Sequence, residues 1–358
     1  MVFPRYSQSS NRRTTLGVLL CAAALVASGC SASDEPAAQT TADTAAAATS
    51  TSSNTATKAT TGEQTATIGL TYIPNVQFSP VYVADERNYL PAGVDYRHHG
   101  QNEGLFTALL AGQEQFVVAG ADEAAAADSD ELQVIAPYYE QFPVVVIVPG
   151  DSPIHTMADL KGKKVGIAGF YGETWYGLVA GLKQVGLTPD DIDIQEIGYT
   201  QQAALSTGKV DAVVGFSNND SVRFALAGFA TRDLTPEVQS LRAASLITTK
   251  KFAAEHPELT AKTVAALFHA YEDLIADPNL GVAAAEKLIP ELNEPEQKEA
   301  AAQTMDATAP LLPSKTVGCS GLTATQGEAL VAELNTIGVD TPKVVPQELL
   351  TDAYCGDV

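Results

Sequence analysis

The chain has 358 residues, 45% hydrophobic and 18% charged, with a formal net charge of −22. So acidic a surface argues against nucleic acid and against anionic substrates in bulk, while leaving open an anion held in a local pocket. No run in the sequence reaches the ~20 apolar residues that a membrane span needs.

Arg5, Arg12 and Arg13 precede an apolar run, Leu16 to Val26, which leads into Ala27-Ser28-Gly29-Cys30. A basic start, a short apolar core and small residues before a cleavage point describe a secretory signal over residues 1–29. A Cys directly after the small residues reads as a lipobox, although Ala27 stands where Leu is usual. Lipidation at Cys30 is therefore expected, with an ordinary signal cut nearby as the alternative. Residues 31–64 are nearly all Ser, Thr, Ala, Asp and Gln. Lacking bulky apolar side chains, they cannot offset ordering entropy, and 30–64 reads as a lipidated Cys and disordered tether with an end-to-end distance of about 34 Å. Cys21 leaves with the signal, so Cys319 and Cys355 remain as an even pair in an oxidising compartment. A disulfide is expected there, closing a long loop for roughly 4 kcal/mol in the chain-entropy model. Two Cys without further ligands fall short of a metal site.

From residue 65 onward the sequence repeats itself at a spacing of 96 to 98 residues. Ile68-Gly69-Leu70 and Val165-Gly166-Ile167 open the two copies as β-branched strands. Each runs into an aromatic loop bearing Gly or Pro, then a helix over about 79–90 or 174–185. Second strands follow at 94–99 and 192–197. Next come helices ending at Gly112 and Gly208, where a left-handed cap favours Gly. Third strands follow at Phe116–Val118 and Ala212–Val214. Alternation of strand and helix with short links predicts an α/β chain with parallel strands and helices on both faces. Two such lobes leave a cleft between them. The runs Val144–Val148 and Ala243–Thr248 are expected to cross from one lobe to the other. The predicted division is 65–148 plus 244–358 for lobe 1, and 149–243 for lobe 2. Beyond residue 250 the pattern is helical. Leu259, Val264, Leu267, Phe268, Tyr271 and Leu274 recur at helical spacing before Asp277-Pro278, and further helices over about 281–289, 295–308 and 324–336 are expected to pack on lobe 1.

Ligands of parallel α/β sheets sit outside the carboxyl ends of the strands, so the loops after the strands supply the candidates. Tyr72, Asn75, Gln77 and Phe78 follow the first strand. Their amides suit a heterocycle's nitrogens and carbonyls, and their rings can stack on a flat ligand. The alternative makes the rings core aromatics and Asn75 a turn residue. Gln101 follows the second strand; Asp122 and Glu123 follow the third. An acid here can pair with an amino-pyrimidine edge, or simply favour a helix N-terminus. Tyr138 precedes the first crossing strand, beside Tyr139. In lobe 2 the candidates are Tyr171, Gly172, Trp175 and Tyr199, then Asn218 and Asn219 after the third strand. Gly lets backbone approach a ligand closely, and Trp175 is the only Trp. Arg is scarce in these loops, so the pocket suits a neutral or cationic heteroaromatic better than a sulfonate or phosphate held by an Arg fork.

Three segments carry a family resemblance: Tyr-Ile-Pro-Asn-Val-Gln-Phe-Ser-Pro-Val-Tyr-Val-Ala at 72–84, Asp-Leu-Lys-Gly-Lys-Lys-Val-Gly at 159–166, and Gly-Lys-Val-Asp-Ala-Val-Val-Gly at 208–215. Over about 66–310 the chain resembles the solute-binding proteins of ABC importers, on the side of the thiamine-pyrimidine (ThiY-like) and riboflavin (RibY-like) binders, with sulfonate (SsuA-like) binders as cousins. The resemblance implies a two-lobed periplasmic-binding-protein fold of type II, with a central cleft and a hinge. It also implies closure on a small-molecule ligand and an ABC permease as partner; the membrane is expected to be reached through the lipid at Cys30, and a monomer without cofactor is expected. Related enzymes of this fold make the thiamine pyrimidine with a Cys-rich motif and iron. This chain has no Cys between residues 31 and 318, and no His-Glu-x-x-His, Gly-x-Ser-x-Gly or P-loop pattern, so the expectation is a binding protein and not an enzyme. A lipoprotein that senses a ligand without transporting it is the remaining class.

Overall fold

A computed structural model describes residues 65–71, 73–100, 103–238 and 240–356. The predicted signal, Cys30 and the tether lie outside the described residues, as do Tyr72 and Gln101.

Two five-stranded sheets organise the chain. The first is built from β1 (Ala66–Leu70), β2 (Val94–His98), β3 (Phe116–Gly120) and β4 (Leu132–Pro137), with α1 (Ser79–Glu86), α2 (Thr107–Leu110) and α3 (Ala121–Ala126) between them. The second takes β5 (Val144–Pro149), β6 (Lys164–Ile167), β7 (Asp193–Glu196), β8 (Ala212–Phe216) and β9 (Thr231–Leu234), with α4 (Gly172–Gln184), α5 (Gln201–Ser206) and α6 (Asp220–Leu226). β10 (Ala244–Thr249) then returns to the first sheet. The orders are β2-β1-β3-β10-β4 and β7-β6-β8-β5-β9, which correspond strand for strand.

In each sheet the first three strands are parallel, Ile68 standing between Tyr96 and Phe116, and Val165 between Ile194 and Ala212. The inserted strands run the other way. β10 is antiparallel to β3 and β4, and β5 to β8 and β9, so the parallel strands of each repeat sit in a mixed sheet. A predicted boundary is displaced. Val144–Val148, assigned to lobe 1 from the sequence, pairs on both sides within the second sheet. The crossing thus precedes Val144. A run of five Val and Ile residues buried on both faces fits the interior of either sheet, and only pairing decides which.

The first sheet carries the larger core. The C-terminal helices α7 (Lys250–Glu255), α8 (Pro257–Ala276), α9 (Asn279–Glu286), α10 (Pro295–Thr308), α11 (Ala324–Thr336) and α12 (Pro346–Leu349) follow β10. α8 starts on Pro257, whose fixed φ suits a first turn. It buries Val264, Leu267, Phe268, Tyr271 and Leu274 along one stripe against that core, each worth roughly 1.5–3 kcal/mol of apolar burial. The chain end folds back onto the edge strand: Leu350 bridges Val134, and the Thr351 N–H donates to the Val134 carbonyl at 3.0 Å. Nearby, Cys319 and Cys355 face each other with Cα atoms 6.2 Å apart, within the range a disulfide spans. No described helix is long and apolar enough to cross a membrane.

Candidate ligand-binding cleft

Between the sheets, at the carboxyl ends of β1, β3 and β8, lies a cavity of about 180 Å³. From the first lobe it is lined by Thr71, Gln77, Phe78, Val118, Ala119, Gly120, Glu123 and Ala244; Tyr138 and Tyr139, on the link from β4 to β5, also line it; Glu173 and Phe216 close it from the second lobe. Local chemistry fixes these groups. Thr71 Oγ1 donates to the Val118 carbonyl at 2.7 Å, tying the β1 loop to β3. Tyr138 is buried and donates from its hydroxyl to the Gln77 carbonyl at 3.1 Å. Its ring sits edge-on to Tyr139 and Tyr271, with centroids 5.4 and 6.0 Å away, in the favoured aromatic geometry.

Carboxylates dominate the electrostatics. Glu123 Oε2 accepts the Gly120 N–H at 3.0 Å, and Asp122 Oδ1 accepts the Glu123 N–H at 2.8 Å. Glu173 meets them from α4. A Cβ placed on Gly120 would lie 2.5 Å from Asp122 Oδ1, 2.8 Å from Glu173 Oε1 and 3.0 Å from Glu123 Oε2, so three acids converge on the one residue without a side chain. Gly172, the first residue of α4, has φ +73 and lies beneath Glu123 Oε1. Burial pushes the Asp122 carboxyl well above the usual carboxylate range, with the Glu123 charge adding to it. Burial raises Glu123 as well, and burial followed by the charges of Asp122 and Glu123 raises Glu173 strongly. Burial also lifts the Tyr139 hydroxyl, and lifts Tyr176 to about 12. Among the described residues, no Lys, Arg or His lines the cavity.

A second polar cluster lies beneath β1. Buried Glu114 pairs with His99 Nε2 at 3.0 Å and with Arg97 Nε at 2.6 Å, and Arg97 also holds Glu103 down to about 2. His99, Glu103 and Glu114 offer ligand atoms within 4.8 Å of one another. The Arg97 guanidinium supplies the positive charge between the two acids, so the group reads as an internal ion cluster. His98 turns to the opposite face and pairs with the Tyr82 hydroxyl at 3.1 Å.

The sequence profile described as NMT1/THI5 like matches residues 75–280. The riboflavin-binding protein RibY of Chloroflexus aurantiacus is 30% identical over 290 residues, covering 78% of this chain and 79% of that protein. The chain belongs to the NMT1/THI5-like family. Among solved structures, the periplasmic aliphatic sulphonate binding protein SsuA of Escherichia coli superposes with a TM-score of 0.63 at 19% identity, over 81% of this chain and 92% of that one. The Candida albicans CA3427 gene product, described as having the generic periplasmic binding protein fold, gives 0.57 at 11% identity, over 81% and 99%. The two-lobed periplasmic-binding-protein fold follows from these likenesses.

In this NMT1/THI5-like chain the predicted residues divide. Gln77, Glu123 and Tyr138 line the cavity, with Phe78 and Tyr139. Asp122 stands directly behind Glu123 and is fully buried. Asn218 is also fully buried, its Nδ2 donating to Thr308 Oγ1 at 3.0 Å and lying 3.5 Å from the Tyr139 hydroxyl, one bond behind the wall. Asn75 is elsewhere engaged. Its Oδ1 accepts the Gln77 N–H at 2.9 Å and caps the turn Val76–Phe78, the turn role weighed against binding. Asn219 Oδ1 accepts from Arg223 Nε at 3.2 Å on α6, away from the cavity. Trp175 packs edge-on to Phe170 at 5.1 Å, wedged against both cores. Tyr171 and Tyr199 stay at the rim, 53% and 72% exposed, with hydroxyls 3.4 Å apart. Thr71, Glu173 and Phe216 are wall residues that the sequence reading passed over. Each closes a strand or opens the helix after it, the signal that marked its neighbours.

Proposed function

We propose that the chain is the solute-binding component of an ABC importer, exported and held to the outer face of the membrane by a lipid on Cys30. Its cleft takes a flat heteroaromatic solute of the riboflavin or thiamine-pyrimidine type. The observation that carries this reading is the lining: aromatic rings and carboxylates, with no cationic side chain among the described residues. Such a wall repels a sulfonate and offers acceptors to ring N–H and amino groups. The family and the RibY likeness support the same class of solute. Closure of the lobes over the ligand is the expected response, and the closed monomer is what a permease would receive.

The test is to purify the full chain natively, denature it, and identify any released molecule by mass spectrometry. Thermal-shift titrations with riboflavin, hydroxymethylpyrimidine, thiamine and taurine then follow. At 100 times its dissociation constant a binder stabilises the fold by about 2.7 kcal/mol. A shift with riboflavin or a pyrimidine supports the reading; a shift with taurine alone overturns it.

A further inference from the structure

We propose that the cleft holds a shared proton among Asp122, Glu123 and Glu173, so that one carboxyl is a neutral acid and the site presents a hydroxyl donor beside carboxylate acceptors. The inference rests on reading this cleft as the solute site, and it names the solute edge: an acceptor next to an N–H, as in a lactam or an amidine.

Geometry is the first ground. The oxygens that converge on Gly120 are no more than about 6 Å apart, the range over which like charges raise each other's pKa. Satisfaction is the second. Asp122 is fully buried, and its Oδ2 has no hydrogen-bond partner; Glu173 Oε1, sealed from solvent, has none either. Two unpaired buried carboxylate oxygens in one cluster are costly as charges. A proton taken up by the cluster turns one oxygen into a donor and reduces the repulsion. The third ground is the surroundings. Tyr138, Tyr139 and Tyr176 are the other titratable groups against the cluster, and burial keeps their hydroxyls protonated. α11, on the outer side of α3, carries Glu328 and Glu333 and no base. Arg242 precedes β10, but its guanidinium lies against Gly321. Among the described residues, no cation answers the acids.

Because Glu173 stands on the second lobe and the other two on the first, the proton is held only where the lobes meet. Closure then draws a proton from solvent, and opening releases it. The sign is set by the raised carboxyls: their contribution to stability is complete below the ordinary carboxyl pKa of about 4 and is lost as pH rises through their folded values.

The test needs no ligand. Melting of the full chain is followed from about pH 5.5 to 8.5 for wild type, Glu173→Gln and a distant control, Glu296→Gln. Gln mimics the neutral acid, so Glu173→Gln should melt above wild type at the alkaline end and show a flatter pH slope, while Glu296→Gln tracks wild type. Infrared spectra of the unmutated chain provide a readout independent of variant folding, a protonated-carboxyl C=O band persisting above pH 6. Equal slopes for wild type and Glu173→Gln, or no such band, overturn the proposal. A ligand panel without a heteroaromatic binder would sink the solute reading and leave this measurement as it stands.

Discussion

Replacing Cys355 with Ser removes the cross-link expected with Cys319. The two positions are 36 residues apart. In the chain-entropy model a loop of that length restrains the unfolded chain by about 4 kcal/mol. The thiol itself is only half-buried, so its lost packing adds well under about 1 kcal/mol. For a domain of this size each kcal/mol moves the melting temperature by about 2 °C, giving a fall of roughly 8 °C. Calorimetry on the full chain, with and without reductant, provides the assay. Reductant should lower wild type to the level of Cys355→Ser and leave the variant unmoved. A variant melting within about 2 °C of wild type, or a wild type indifferent to reductant, would refute both the cross-link and the entropic reasoning.

Gly172→Ala places a Cβ at φ +73 and 3.0 Å from Glu123 Oε1; a loss of about 1–2 kcal/mol is expected in urea unfolding. Glu114→Ala removes the buried acceptor of His99 and one partner of Arg97, which keeps Glu103, and should cost about 1–3 kcal/mol, with Glu114→Gln recovering part of it. Asn218→Ala breaks the bond to Thr308, the last residue of α10, which touches both α6 and the turn Val76–Phe78. Stability should drop by about 1–3 kcal/mol, and small-angle scattering should report a larger radius of gyration as the lobes part.

Much of the architecture was legible because the repeat is a statement about topology. Two copies with matched strand–helix order fold into two sheets of matched strand order, and the glycines closing the α2 and α5 regions lie at positive φ as the cap reading requires. What failed had a common cause. Val144–Pro149 is apolar throughout and carries no mark of which sheet accepts it. Asn75 has the chemistry of a ligand contact and of a turn cap alike, and only the 2.9 Å bond to Gln77 chooses. Glu173 carries no mark in the sequence beyond that of any acid at a helix start. Its meaning comes from Asp122 and Glu123, which belong to the other lobe and reach it only through the fold. Trp175 was singled out for being unique, yet uniqueness says nothing about which way a ring faces.

The exchange of inserted strands also governs how the chain is made. β4 pairs within its sheet only with β10, and roughly a hundred residues of the second lobe must be synthesised between them, a long-range contact of the kind that slows folding. The second sheet has no such wait, since β5 is already present when β8 and β9 emerge. During synthesis the first lobe therefore stays an open three-stranded fragment with an unpaired β3 edge until residue 249 is available, and it is this interval, with its exposed apolar edge, in which the nascent chain most needs a chaperone.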